Sequence, residues 1–286
     1  MSEDQLIEPT LERSSAAAFG TARAEGRGAL VGYLPVGYPS VPGSLAAMRV
    51  LCGADGETPG VDLVEIGLPY SDPMMDGPVI QRAGTRALER GVRTRDVFAA
   101  VDAVRAAGRP AVVMTYWNLV DRYGVDAFAR DLANAGGSGL ITPDLIPDEA
   151  GDWLAASDAY GLDRVFLVSP SSTDERIVQT TQAARGWLYA TSVMGVTGTR
   201  TASSSAAPEL VARIRALSPT TLVAVGLGVS NGEQAAEVCG FADGVIVGSA
   251  FIKPLLAADD AGSPDDFNGL RAVLTDLTAG VRRSRG

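Results

Sequence analysis

The stretch TLVAVGLGVSNGEQAAEVCGFADGVIVGSAF (residues 221–251) contains a complete strand–helix–strand unit. Its two short apolar runs, 222–225 and 244–247, are typical of buried strands, and each stops at a glycine. Helical spacing covers residues 232–238 between them. A strand joined to the next strand through a helix pairs with it in parallel, by a right-handed crossover. This part of the chain therefore predicts an α/β fold with a parallel sheet.

The same unit recurs along the rest of the chain. Six further apolar runs are each followed by a helical segment; they are residues 30–34, 63–66, 111–115, 139–141, 165–168 and 188–190. Eight parallel strands alternating with helices close a (β/α)8 TIM barrel of roughly 250 residues. The alternative is an open doubly wound sheet, which usually has about five or six strands and a G-x-G-x-x-G turn after the first. The sequence lacks that turn, so we predict the barrel.

The domain organisation follows from the same pattern. No linker rich in Pro, Gly or Ser divides the 286 residues, and we predict one catalytic barrel domain over residues 12–286. Residues 1–11 are predicted to be a mobile leader. We expect an extra N-terminal helix to start at Ser14 or Ser15, because serine is a preferred helix cap, and to run through Arg23.

The residue counts and the charge exclude several kinds of site and partner. Histidine is absent, so Ser-His-Asp and Cys-His machinery and His-based zinc sites are excluded. Any acid–base chemistry falls to Asp, Glu, Lys, Tyr or Cys. The formal net charge of −10 argues against nucleic acid or an anionic membrane as the main partner.

Targeting features indicate a cytoplasmic protein. No apolar run approaches the ~18 residues of a membrane-spanning helix, and the acidic, polar N-terminus differs from a signal peptide. The two cysteines, Cys52 and Cys239, are too few and too far apart for a zinc knuckle or a disulfide framework. We interpret them as reduced, buried or half-buried thiols, in keeping with a cytoplasmic location.

The segment EIGLPYSDPMMDGP (residues 65–78), after the second strand, carries the candidate acid–base groups. Glu65 alternates with apolar neighbours near the strand end, so we expect its side chain to point into the barrel mouth, where such barrels place their active sites. Burial there raises a carboxyl pKa and lets the group donate a proton near neutral pH. Asp72 and Asp76 follow on a proline-stiffened loop. The alternative is that Glu65 pairs with a buried Arg or Lys and that the loop aspartates are caps.

Gly/Ser turns after strands seven and eight are typical of a phosphate site. They are Gly226-Leu-Gly228 and Gly248-Ser249. Glycine lets backbone N–H groups approach an anion closely, and helix N-termini at these turns attract it. The alternative is a pair of ordinary tight turns. The loop after strand six, with the segment 195–198, is expected to add donors.

Three tyrosines lie in or at the ends of predicted strands: Tyr33, Tyr116 and Tyr189. One such tyrosine is usually a core residue, but three around one rim favour a flat apolar pocket for an aromatic ligand. Together the residues indicate an acid–base lyase or isomerase that acts on a phosphorylated aromatic or sugar compound. On these grounds a phosphosugar isomerase remains an alternative.

A family resemblance narrows these alternatives. The segment EIGLPYSDPMMDGPVIQ (residues 65–81) resembles the signature of the tryptophan synthase alpha subunit family. Further blocks occur in the family's order within residues 28–255: YLPVGYPS, MTYWN, GLITPDLIPDE, SVMGVTGTR, GLGVS and GVIVGSAFIK. The resemblance implies a TIM barrel that cleaves indole-3-glycerol phosphate to indole and glyceraldehyde 3-phosphate, a retro-aldol step of L-tryptophan biosynthesis.

The resemblance also implies catalytic roles. Glu65 matches the family's glutamate, which would protonate the indole ring carbon that carries the side chain and help to remove the glycerol hydroxyl proton. Asp76 matches the second carboxylate, which would hold the indole N–H and stabilise the positive charge of the intermediate. Tyr189 matches a tyrosine that positions the substrate and Glu65.

Other family positions surround this centre. Phosphate-binding residues of the family match Gly198, Gly228, Gly248 and Ser249. The family's pocket-wall residues match Tyr33, Tyr116 and Ile246. A threonine of the family's closing loop, which contacts the catalytic aspartate, matches Thr197. A supporting carboxylate that does not touch the substrate matches Asp144.

The resemblance further implies a partner. Family members work with a beta subunit that carries pyridoxal phosphate and receives the indole, in an alpha2beta2 heterotetramer, so this chain is expected to hold no cofactor. The Ser71-Asp72-Pro73 turn and the MTYWNLVDRYG segment lie in regions that the family uses at that interface. A stand-alone lyase and a non-catalytic barrel are the alternatives.

Several residues depart from the family's common pattern. Tyr70 and Tyr33 each replace a frequent Phe, and the pair Met74-Met75 is bulkier than the common Leu-Ala. Trp117 follows Tyr116 at a position where a smaller or different aromatic residue is usual. All keep size or apolar character, so we expect activity to be retained, with changes in loop closure or in the fit to the partner.

Overall fold

The computed structural model describes residues 14–191, 206–226 and 228–283. Nine strands lie in these ranges: β1 (Ala29–Pro35), β2 (Leu63–Gly67), β3 (Ala111–Met114), β4 (Gly139–Ile141), β5 (Asp163–Val165), β6 (Leu167–Val168), β7 (Leu188–Thr191), β8 (Val223–Gly226) and β9 (Gly244–Val247). They form one sheet in the order β5-β4-β3-β2-β1-β9-β8-β7-β6, and each neighbouring pair is parallel.

The two outer strands of that sheet are consecutive in the chain, with only Phe166 between them. Val165 still accepts a hydrogen bond from Thr142 beyond β4, whereas the Phe166 carbonyl accepts one from Tyr189 on β7 (3.1 Å). The chain therefore changes its pairing partner at this residue, and the barrel closes here. The predicted (β/α)8 TIM barrel is confirmed, with the predicted fifth strand divided into β5 and β6.

Helices cover the outside of the barrel. In the described ranges they are α1 (Ala16–Ala24), α2 (Val41–Leu51), α3 (Pro78–Glu89), α4 (Asp96–Ala106), α5 (Trp117–Tyr123), α6 (Val125–Asn134), α7 (Gly151–Ala159), α8 (Asp174–Ala183), α9 (Ala206–Leu217), α10 (Gly232–Phe241), α11 (Ser249–Asp260) and α12 (Asn268–Arg283), with a 3-10 turn at Pro147–Glu149. None of them reaches the length and apolar character needed to cross a lipid bilayer.

The predicted extra N-terminal helix, α1, covers the N-terminal end of the barrel. Phe19 packs against Trp187 with 5.5 Å between ring centroids, in the same buried cluster as Val31 of β1. The Ser15 hydroxyl donates to Asp163 (2.6 Å) and accepts a hydrogen bond from Trp187 Nε1 (3.1 Å). Ser15 therefore occupies the predicted N-cap position, but its side chain fastens α1 to the barrel and makes no capping hydrogen bond. The predicted leader, residues 1–11, lies outside the described residues.

Ion pairs tie α3 to α11 beside the barrel mouth. Arg86 donates to Asp259 (2.9 Å) and Asp260 (2.7 Å). Because α3 starts just after Asp76 and α11 starts at Ser249, these pairs hold the loop after β2 in place against the turn after β9. The two cysteines lie elsewhere and are both buried.

Candidate active site

Glu65 lies in the middle of β2, two residues before the strand ends at the barrel mouth. It pairs in register with Tyr33 on β1, and only 1% of it is exposed. Its Oε2 atom has no hydrogen-bond partner in the described part of the chain. Burial, and then the nearby charge of Asp76, raises the pKa of Glu65 to about 8. The structure gives Glu65 no Arg or Lys partner within the described ranges, so the ion-pair alternative is not supported there.

Asp76 ends the loop that follows β2. Its backbone carbonyl accepts a hydrogen bond from Gln81 Nε2 (2.8 Å), which ties the loop to the first turn of α3. Gly77 is the N-cap of α3, with no side-chain hydrogen bond, so Asp76 does not cap this helix. Burial raises the pKa of Asp76 to about 6. Between these two pKa values one carboxyl is protonated and the other ionised.

Tyr116 holds the loop that carries Asp76. Its hydroxyl accepts a hydrogen bond from the backbone N–H of Met75 (3.0 Å). Its ring stacks on Tyr70, with 5.1 Å between centroids, and Asn118 donates to the Tyr70 hydroxyl (3.4 Å). Burial raises the pKa of Tyr116 to about 12. Tyr116 therefore acts on the loop backbone, and it is not among the residues that line the pocket.

Asp144 does not line the pocket. It is exposed and accepts a hydrogen bond from the backbone N–H of Trp117 (2.9 Å) at the start of α5. A carboxylate at a helix N-terminus satisfies an otherwise unpaired N–H group and is favoured by the helix dipole. Asp144 thus fixes the helix that follows Tyr116.

The turns after β8 and β9 face the same pocket. Gly228 has φ +69°, in the left-handed region that favours glycine. Gly248 directly precedes Ser249, the first residue of α11, so the backbone N–H groups of that helix start point toward the pocket. The predicted donors Thr197 and Gly198 lie outside the described residues.

Tyr189 enters the pocket from β7. Its ring stacks on Trp187 with 6.1 Å between centroids. A Cβ atom on Gly226 would overlap its hydroxyl, so the glycine leaves room for the ring to lie over β8. Burial, followed by the charges of Glu65 and Asp76, raises the pKa of Tyr189 well above 10. The hydroxyl therefore stays protonated beside both carboxyls.

One pocket at the barrel mouth brings most of the predicted site together. It is a concave site, partly open to solvent, with both apolar and polar lining residues. Eight predicted residues line it: Glu65, Asp76, Tyr189, Tyr33, Ile246, Gly228, Gly248 and Ser249. The remaining described ones, Tyr116 and Asp144, act through the loop and α5.

The pocket also contains residues that the sequence did not single out. The apolar ones are Ile80, Met114 and Leu167, and the polar one is Thr191. Met114 and Leu167 lie near strand ends, where the alternation of inward and outward side chains is the signal that would have found them. Met74 and Met75, noted only as departures, lie on the rim, where Met74 is 73% exposed.

The described residues contain no group of three or more Cys, Asp or Glu side chains placed to hold a metal ion. The single lysine of the chain, Lys253, lies in a groove with Pro78 and Asp260 between α3 and α11, apart from this pocket.

Comparison with known proteins agrees with this geometry. The family model described as "Tryptophan synthase alpha chain" matches residues 19–268. The tryptophan synthase alpha chain of Mycobacterium avium (strain 104) is 58% identical over 278 residues, 96% of this chain and 98% of the relative. That of Salinispora tropica is 60% identical over 265 residues, 93% of this chain and 96% of the relative.

Solved structures give the same result. A structure of Mycobacterium tuberculosis tryptophan synthase is similar with a TM-score of 0.86 and 56% sequence identity, covering 94% of this chain and 98% of that chain. The matched region includes the second strand, the loop after it and both Gly/Ser turns. The chain belongs to the tryptophan synthase alpha chain family.

Proposed function

We propose that this chain is a carbon–carbon lyase that cleaves indole-3-glycerol phosphate to indole and glyceraldehyde 3-phosphate. The observation that carries the proposal is the pair Glu65 and Asp76 at one pocket, one buried with a pKa of about 8 and the other half-buried with a pKa of about 6. A retro-aldol cleavage of this substrate needs an acid and an ionised carboxylate at neutral pH, and two unlike environments supply them.

Each carboxyl has a distinct task in this reaction. Glu65 donates its proton to the indole ring carbon that bears the side chain, so the ring can leave as neutral indole. The resulting carboxylate accepts the proton of the adjacent glycerol hydroxyl as the carbon–carbon bond breaks and the aldehyde forms, which returns Glu65 to its protonated state. Asp76 remains ionised, accepts a hydrogen bond from the indole N–H and stabilises the positive charge of the protonated ring.

The remaining pocket residues hold the substrate. Gly228, Gly248 and Ser249, with the start of α11, would bind the phosphate through backbone N–H groups and the helix dipole. The apolar lining accommodates the indole ring. A glycine-rich cradle of this kind needs no basic side chain, which suits the acidic chain. Gly198 and Thr197 would complete the cradle and the closing loop.

We infer that the partner is a pyridoxal phosphate-dependent beta chain, in an alpha2beta2 heterotetramer. Pyridoxal phosphate is bound through a lysine Schiff base, and the single lysine here, Lys253, lies apart from the pocket. The residues of this pocket therefore do not fit that cofactor. The family relationship does not favour a stand-alone lyase or a non-catalytic barrel. We further propose one catalytic domain over residues 12–286 in the cytoplasm, with neither nucleic acid nor a membrane as partner.

Substitution of the two carboxyls tests the reaction. Glu65→Gln and Asp76→Asn should each lower indole release from indole-3-glycerol phosphate by about 100-fold or more, the scale of a lost general acid or base. Glu89→Gln is the control, because Glu89 is exposed at the end of α3, outside the pocket, and its turnover should stay at the wild-type level. Near wild-type turnover of Glu65→Gln would contradict the proposal.

The pH dependence and the partner give two further measurements. The kcat/KM profile should be bell-shaped, rising as Asp76 ionises near pH 6 and falling as Glu65 ionises near pH 8.

Turnover with and without a purified beta chain separates the complex from a stand-alone lyase, and equal rates in both would contradict the inferred partner.

A further inference from the structure

The ring of Tyr33 spans the floor of the pocket, between the phosphate cradle and the two carboxyls. A Cβ atom on Gly248 would lie 3.2 Å from Tyr33 Cδ1, and a Cβ atom on Gly67 would overlap the Tyr33 hydroxyl. The ring edge near the backbone therefore touches the Gly248 turn, while the hydroxyl lies over the end of β2, two residues beyond Glu65. Only 7% of Tyr33 is exposed.

The hydroxyl of Tyr33 has acceptors nearby but makes no hydrogen bond with any residue that the structure describes. The titratable groups facing it are the carboxyls of Asp76 and Glu65 and the hydroxyls of Tyr116 and Tyr189. Burial, then the charges of Asp76 and Glu65, raises its pKa well above 10. The hydroxyl is therefore a neutral donor among acceptors.

Among the described residues, no donor reaches the Asp76 carboxyl, and Thr197, which the family resemblance places against it, lies outside them. Burial raises the pKa of Asp76. An aromatic substrate that fills the pocket displaces water from this carboxylate, which further disfavours the ionised form unless a donor replaces the water. The tyrosine hydroxyl on the pocket floor is such a donor, and a phenylalanine of the same shape would not be.

We propose that Tyr33 is a positioning residue whose hydroxyl donates a hydrogen bond to the Asp76 carboxylate when substrate fills the pocket, keeping Asp76 ionised and aimed at the indole N–H. This goes beyond the wall role that the family resemblance implies for Tyr33, and it rests on the proposed cleavage reaction. No proton leaves Tyr33 in the cycle; the hydroxyl acts as a fixed donor.

Tyr33→Phe, measured in the full chain, tests this role. The substitution removes one oxygen and keeps the ring that fills the floor. We expect kcat/KM for indole-3-glycerol phosphate to fall about tenfold at pH 6.5, the effect of losing one hydrogen bond to a charged group. The acid limb of the pH profile should move up by about one pH unit, with kcat falling more than KM rises. A profile that coincides with wild type would overturn the proposal.

Two comparisons separate positioning from a general structural effect. Tyr38→Phe removes a buried hydroxyl that donates to Asp259 (2.9 Å) outside the pocket, so it should leave the acid limb in place. In otherwise wild-type protein, Tyr33→Phe should weaken the binding of indole-3-propanol phosphate about tenfold. On an Asp76→Ala background the acceptor is gone, so the same substitution should weaken binding by less than twofold. The same tenfold loss on both backgrounds would overturn the proposal.

The outcome also distinguishes this inference from the proposed function. If wild-type protein, with and without a beta chain, releases no indole, the proposed reaction is wrong. If wild type is active and Tyr33→Phe keeps the wild-type pH profile, the reaction stands and only the role of Tyr33 is wrong.

Discussion

Replacing Glu65 by glutamine should stabilise the folded protein, and increasingly so as the pH rises. The folded-state pKa of Glu65 is about 8, against 4.5 for an unperturbed glutamate. The folded state thus keeps a proton that the unfolded state has lost between these two values. Stability from this group is fully present below pH 4.5 and is lost as the pH rises through 8.

The size of the effect follows from the same shift. Each pH unit within the window removes about 1.4 kcal/mol from the free energy of unfolding. Between pH 5.5 and 7.5 the wild type should therefore lose about 2.7 kcal/mol from this group alone, a large part of the ~5–15 kcal/mol that stabilises a typical domain. Glutamine has nearly the same shape and no charge, so the variant lacks this loss.

Urea titrations of both proteins at pH 5.5, 6.5, 7.5 and 8.5 measure the difference. The free energy of unfolding of Glu65→Gln minus that of wild type should grow with pH and level off above pH 8. Other titrating groups are common to both proteins and largely cancel. A difference that stays constant from pH 5.5 to 8.5 would show that Glu65 ionises in the folded protein as easily as in water. That result would refute the reasoning about its burial.

Two other substitutions test the supports of the site. Tyr116→Phe removes the acceptor of the Met75 N–H; kcat for cleavage should fall several-fold while the free energy of unfolding drops by only about 1 kcal/mol, and unchanged kcat would contradict a role in holding the loop. Ser15→Ala removes a donor to buried Asp163 and the acceptor of Trp187 Nε1; urea titration should show a loss of about 2–4 kcal/mol with unchanged kcat, and a loss below about 0.5 kcal/mol would contradict the role of this cluster in fastening α1.

The strands were predictable because a parallel sheet buries both of its faces, so each strand is a continuous apolar run. Two helices, α5 and α11, were not predictable from the sequence. Helix α5 is only seven residues long, too short to establish a period, and α11 contains Pro254, which normally argues against a helix interior. The division of the fifth strand at Phe166 depends on which neighbour each carbonyl meets, and that is set by barrel closure, not by local sequence.

The candidate site was predictable where its residues are local. Glu65 and Asp76 come from one strand and its loop, so sequence spacing and the family motif were enough to single them out. The part played by Asp144 was not visible, because its acceptor role toward Trp117 joins segments that meet only in the folded barrel. Thr191 was missed for a similar reason: a threonine at a strand end gives no sign of facing a pocket whose other lining residues come from distant parts of the chain.

The packing of Phe19 against Trp187 closes the N-terminal end of the barrel, and this limits where the products can leave. The interior below Glu65 is filled with side chains, and α1 covers the far end. In the described part of the chain, the pocket opens at the barrel mouth, where Met74 and Met75 are among the residues that line it. A second enzyme that takes the indole without losing it to bulk solvent must therefore dock across this rim. Substitutions on the rim that spare catalysis would then show their effect as leakage of indole.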